Sequence, residues 1–143
     1  MKTYRLTDMD TIKMQQVESL LHMLSPTAKQ MDMLRVEQLV KDERLHIFVT
    51  EDSSEKLVGL LTLCVCPTLA KDKLWIEDVI VHEDYRNQGL GRALVREAVS
   101  FAKNHTTGSV IYLTSNPKRK AARALYASEG FEEYETGVFR MKI

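Results

Sequence analysis

An α/β fold, with helices on both faces of a mixed central β-sheet, is predicted by three observations on this 143-residue chain. Apolar runs of strand length, Leu57 to Cys66 and Leu74 to Val81, alternate along the chain with segments of helical apolar spacing. A strand, helix, strand succession from Trp75 to Thr114 calls for parallel neighbours joined by a crossover, whereas the polar turn Glu51 to Lys56 calls for an antiparallel hairpin. A content of 44% apolar and 28% charged residues suits one compact domain over residues 1–143. The expected order is βααβββαβαββ, giving a sheet of about seven strands.

Each element has its own signal. Thr3 to Leu6 reads as a short strand, and Thr7 with Asp10 has the spacing of a capping box before a helix striped by Val17, Leu20, Leu21 and Leu24. Ser25-Pro26 reads as an N-cap and first-turn proline for a second helix carrying Met31, Leu34 and Leu39. His46 to Thr50 and Leu57 to Cys66 form the hairpin, with Pro67 ending it. Leu74 to Val81 is dense enough in apolar residues to be a central strand. Leu90, Leu94, Ala98 and Phe101 then mark a helix over Gly89 to Lys103. Ser109 to Thr114 is the next strand, Lys118 to Ser128 a helix capped by Gly130, and Phe131 to Glu135 with Val138 to Lys142 two closing strands.

Twenty basic residues cancel twenty acidic ones, so no global charge draws the chain to nucleic acid or to an anionic membrane. No apolar segment has the length to span a bilayer. Cys64 and Cys66 face one side of a strand as core or half-buried residues, and without a signal sequence they point to a reducing cytoplasm. His22, His46, His82 and His105 lack zinc spacing, so no metal site is expected. The methionines of the first two helices read as core or groove lining.

The segment Asp84-Tyr85-Arg86-Asn87-Gln88-Gly89-Leu90-Gly91 carries the chemistry. It joins an apolar strand to a helix start, where unpaired N–H groups and the positive end of the helix dipole favour an anion. Glycines at 89 and 91 let a pyrophosphate approach the main chain, and Arg86 and Arg92 offer charge from either side. Charge-assisted bonds of this kind contribute about 1.5–3 kcal/mol each. A Walker loop is excluded because no Lys-Ser or Lys-Thr follows, and a dinucleotide fingerprint fits poorly because Leu94 stands where Gly or Ala belongs.

Ile76 through Gly91, with Arg86, Gly89 and Gly91 on the pattern [Q/R]-x-x-G-x-[G/A], resembles the GNAT superfamily of acetyl-CoA-dependent N-acetyltransferases. Ala121 through Phe131 is similar to that family's A-x-x-[L/F]-Y-x-x-x-G-F segment, and the likeness spans nearly the whole chain. The resemblance implies that backbone groups of Gln88, Gly89, Leu90, Gly91 and Arg92 hold the CoA pyrophosphate. It also implies that Val79 and Val81 bond the pantetheine arm as an added strand would, that Asn116 lies near that arm, and that a homodimer forms through the terminal strands.

The expected function is transfer of the acetyl group from acetyl-CoA to a primary amine of a small molecule or peptide by direct attack. A non-catalytic acyl-CoA sensor and a protein N-acetyltransferase remain the alternatives. An acceptor amine with an ordinary lysine-like pKa of about 10.4 must lose a proton before attack, at about 4.6 kcal/mol at pH 7. Glu77 resembles the glutamate that some small-amine members use as the base, with a surface ion pair as its structural alternative. Strict alternation would send Asp78 to the opposite face of the strand, so only one of the two carboxylates faces the cleft unless the strand is irregular. Tyr126 is the candidate general acid for the departing thiolate, the alternative being a core tyrosine. The Val79 N–H is the candidate oxyanion donor. Lys118, Arg119, Lys120 and Arg123 form a basic cluster that suits either the 3′-phosphate of CoA or plain solvent.

Overall fold

The computed structural model describes all of residues 1–143. Five strands lie in sequence order in one sheet: β1 (Lys2–Leu6), β2 (Leu45–Glu51), β3 (Leu57–Cys66), β4 (Lys73–Val81) and β5 (Val110–Leu113). β1 through β4 pair antiparallel and β4 pairs parallel with β5, the mixed pattern that the hairpin and crossover signals require. The helices are α1 (Thr11–Leu24), α2 (Met33–Lys41), α3 (Leu90–His105) and α4 (Lys120–Ser128). β4 is an interior strand, but the middle of the five is β3, which is buried continuously from Leu57 to Leu63.

The caps differ from the expected ones. Asp10, not Thr7, is the N-cap of α1, its carboxylate accepting the Lys13 N–H at 2.7 Å. Ser25 closes α1 rather than opening α2, donating its N–H to Leu21 O, and α2 begins only after Asp32, which accepts the Leu34 N–H. Ser25-Pro26 therefore marks a stop, since proline cannot continue a helix.

Helices cover both sheet faces. On one, Leu94, Val95, Ala98 and Ala102 of α3 and Tyr126 of α4 pack on Phe48, Leu61, Leu63, Leu74 and Ile76. On the other, Val17 and Leu20 of α1 pack on Leu6, Ile47, Val49, Leu57, Leu60 and Ile80. These two layers define the fold.

Their residues also expose a break in β4. Leu74 and Ile76 face α3, so strict alternation would place Ile80 there too, yet Ile80 belongs to the α1 face. The register explains the reversal: Leu60 pairs with Ile80 and Thr62 with Glu77, so Leu61 alone stands opposite Asp78 and Val79. This is a β-bulge, and Asp78 takes the left-handed backbone conformation at φ 51°.

The two closing strands do not form, and no residue from Phe131 onward pairs in the sheet. The start of this segment is instead fixed to α4, where the Phe131 ring meets Tyr126 edge-on at 6.0 Å and Arg123 pairs with Glu133. Glu132, Glu133 and Glu135 crowd one short stretch with like charge, which favours solvent over a ladder. Val138, Phe139, Met141 and Ile143 are left exposed, Phe139 at 97%.

Candidate functional site

Pairing between β4 and β5 ends at Ile76 opposite Leu113, whereas β4 runs on to Val81. Past that point the β5 side of β4 has no strand partner, and the sheet opens. Val79 and Val81 line this opening from the α3 side, where both pack on the core cluster holding Ile76, Leu94 and Tyr126.

The loop after β4 places α3 at the mouth. A 3-10 turn at Glu83–Tyr85 leads to Asn87 at φ 61° and Gly89 at φ 80°, two left-handed residues two apart. Gly89 is the N-cap of α3 and supplies no side-chain cap; its carbonyl accepts the Ala93 N–H at 3.0 Å. The N–H groups of the first turn, those of Leu90, Gly91 and Arg92, thus lie ahead of the first intrahelical bond, where a helix of this length favours an anion. A Cβ built on Gly91 would lie 3.9 Å from Val81 Cγ2 and 3.7 Å from Leu125 Cδ1, so the end of β4, the start of α3 and the body of α4 meet there.

The two arginines behave differently from the sequence expectation. Arg86 folds back so that its Nε donates to the Val81 carbonyl at 3.2 Å, across the end of the open strand edge. The Arg92 guanidinium turns away to α4, with Nε 2.9 Å from Glu129 Oε1 and Nη2 donating to Ser128 Oγ at 3.2 Å. Arg96 completes this clamp through Nε to Glu129 Oε2 at 2.8 Å and holds the Glu129 carboxyl below its usual range. Arg92 contributes its backbone to the helix start, and its charge is spent on joining α3 to α4. Gln88 Nε2 reaches only the Asp84 carbonyl at 3.5 Å.

Asn116 follows β5 and is exposed, its side-chain oxygen accepting the Lys118 N–H at 2.9 Å while its carbonyl accepts from Arg119. This local turn sets up α4. Of the basic cluster, Arg123 is bound to Glu133, and Lys118, Arg119 and Lys120 remain exposed.

Glu77 and Tyr126 come from opposite faces of the opened sheet. Tyr126 is 7% exposed in the α3-side core, and burial pushes its phenol above its ordinary value, with Arg119 opposing weakly. A phenol so shifted stays protonated across neutral pH. Glu77 is on the α1 face opposite Thr62, and its carboxyl is raised first by burial and then by the neighbouring Asp78. The bulge supplies the irregularity that alternation forbade: Asp78 Oδ2 accepts the Thr62 Oγ1 hydroxyl at 2.9 Å, so both carboxylates occupy the Thr62 face. Beside them Trp75 and Tyr112 stack at 5.1 Å, each in register with the other across β4 and β5. Thr62, the Trp75–Tyr112 pair and the Arg86 latch escaped sequence reading, because a bulge and a fold-back contact leave no spacing signature.

No group of three or more His, Cys, Asp or Glu side chains is arranged to hold a metal ion, and no helix is long and apolar enough to cross a membrane. The model of the Acetyltransferase (GNAT) family matches residues 14–131. Human N-acetyltransferase 8 is 33% identical over 104 residues, covering 71% of this chain and 45% of that protein. The chain spans less than half the length of that relative. Among solved structures, a putative acetyltransferase from Agrobacterium tumefaciens superposes with a TM-score of 0.84 at 23% identity, covering 99% of this chain and 100% of the other. An aminoglycoside acetyltransferase from an uncultured soil metagenomic sample, in complex with trehalose, superposes at 0.87 with 21% identity over 99% and 95% of the two chains.

Proposed function

The chain belongs to the acetyltransferase (GNAT) family, and from that premise we propose that it transfers the acetyl group of acetyl-CoA to a primary amine of a small molecule or peptide. The observation that carries the reading is the parting of β4 from β5 beside the uncapped start of α3. An amide-bearing pantetheine arm finds unpaired backbone along residues 79–81, and its pyrophosphate finds the N–H groups of residues 88–92. Val79 and Val81 are the strand-edge partners, with Arg86 leaving the Val81 carbonyl to meet a phosphate. Asn116 borders the same opening from the end of β5.

In this reading the acceptor ammonium gives a proton to Glu77, and its nitrogen then attacks the thioester carbon. The N–C bond forms and the C–S bond breaks, with the Val79 N–H facing the transient oxyanion. The departing thiolate takes the proton of Tyr126, the proton shed by the new amide nitrogen restores the phenol, and Glu77 releases its own to solvent. No covalent enzyme intermediate is needed.

Free CoA measured against a panel of amines and peptides tests the reaction. Glu77→Gln and Tyr126→Phe each lower kcat by about 100-fold or more, while calorimetry finds acetyl-CoA still bound. Full activity in both variants removes these assignments, and binding without turnover by any amine leaves an acyl-CoA sensor. Because base action needs ionised Glu77, whose carboxyl is raised, kcat/KM falls as pH drops through a value above the ordinary glutamate range.

The same reading includes a homodimer built on the open edge of β5. Phe139, Met141 and Ile143 alternate with Arg140 and Lys142 in strand fashion, and those three apolar side chains are exposed in the single chain.

A further inference from the structure

We propose that Asp78, clamped by the Thr62 hydroxyl, is the positioning residue that makes Glu77 an effective base toward the acceptor amine. The inference rests on the acetyltransfer reading and adds to it a second carboxylate and the group that fixes it.

Geometry makes the case. In a regular strand Asp78 would point to the α3 side, but the bulge opposite Leu61 turns it to the side of Glu77. A non-glycine residue at φ 51° stores backbone strain, which persists only where the surroundings hold it. Thr62 is that holder: it is 8% exposed, lies opposite Glu77 in the ladder, and donates its hydroxyl to Asp78 Oδ2 at 2.9 Å.

The Thr62 hydroxyl donates to Asp78 Oδ2 and fixes that carboxylate beside Glu77. That charge, held beside Glu77, raises the proton affinity of Glu77, which burial already lifts. Other groups around the pair do not offset this. On β3, Cys64 has its thiol raised by burial and by both carboxylates. On β5, Tyr112 is stacked on Trp75. The charged and titratable groups of α1 are committed elsewhere, Lys13 to Asp8, Glu18 to the Met31 N–H and His22 to the Ala28 carbonyl. No cation neutralises the pair, which leaves its charge available to an incoming ammonium.

The test is a pH profile joined to a direct titration. In Asp78→Asn, whose side-chain oxygen still accepts from Thr62, the acid limb of kcat/KM moves to lower pH and the plateau falls about tenfold, with KM for acetyl-CoA unchanged. Thr62→Val lowers the plateau, and Thr62→Ser restores it by returning the hydroxyl. Carbon-13 NMR of the Glu77 carboxyl shows its midpoint lowered in Asp78→Asn. A lower plateau with an unmoved limb means structural damage alone and overturns the proposal, as does an unmoved Glu77 titration in the folded variant. Absence of turnover with every amine overturns the acetyltransfer reading instead, and the NMR midpoint still decides whether Asp78 controls Glu77.

Discussion

Gly89 and Gly91 sit two residues apart and do different work. Gly89 has φ 80° with nothing within 4 Å of the place a Cβ would take, so Gly89→Ala meets no clash and loses only the backbone preference, about 1–2 kcal/mol. Gly91 lacks a positive φ, and an added Cβ there would make ordinary contacts with Leu125 and Val81. Thermal melts of Gly91→Ala therefore match the parent, whereas Gly89→Ala melts lower. If this helix start holds the pyrophosphate, calorimetry is expected to find weaker acetyl-CoA binding in both variants, because one strains the N-cap and the other adds a side chain where Gly91 has none. Equal affinity in Gly91→Ala would take the pyrophosphate away from that position. The glycines and Tyr126 could be singled out in the sequence because they stand at the spacing of family motifs, and the structure places Gly89 at the N-cap of α3 and buries Tyr126. The side that Asp78 faces was not legible, since its orientation depends on a one-residue offset between β3 and β4 that neither strand records alone.

At the C-terminal end of α3, Phe101 lies against two imidazoles, a tilted His46 of β2 at 4.4 Å and a stacked His105 at 3.9 Å, with the Arg5 guanidinium 5.2 Å from its ring centre. Burial lowers the His46 pKa, aided by the charges of Arg5 and His105. A histidine whose folded pKa lies below its unfolded value of about 6.5 favours the fold while neutral, and that contribution is lost as pH falls below 6.5 toward the folded value. The expected outcome is a melting temperature that drops between pH 7.5 and 5.5, with a smaller drop in His46→Phe. An identical drop in both proteins would place the acid sensitivity elsewhere. This contact lay outside sequence reading because His46 and His105 are distant in the chain. The apolar stripe of α3 did announce which face turns inward, and its bounds fell within two residues of the expected ones. α2 was misplaced because Ser25-Pro26 satisfies start and stop rules equally well, and only the true cap at Asp32 decides.

For the whole molecule the order of the first nine elements followed from periodicity, and the last two strands did not form. Their pattern is genuine strand pattern, but pairing needs an edge, and in one chain Phe131 and Glu133 tie the segment's start to α4. Sedimentation of the full chain is expected to give a dimer, and a chain ended at Gly137 a folded monomer that melts lower than the dimer, because the removed side chains are exposed in the single chain and only association covers them. A monomeric full chain at tens of micromolar would leave the β5 edge without a partner copy. The bulge at Asp78 bears on descent as well as chemistry. It is a phase shift in the strand: deleting that one residue would restore strict alternation with Leu61 opposite Val79, while Ile80 stays in the α1 layer and Val79 and Val81 stay in the α3 layer. A single-codon deletion at 78 would therefore take the second carboxylate and the bulge from the site while both core layers stay as they are. Lineages of this chain can gain or lose the one bulged residue in β4 as well as exchange it, and a copy without it should keep the fold and lose the paired carboxylates.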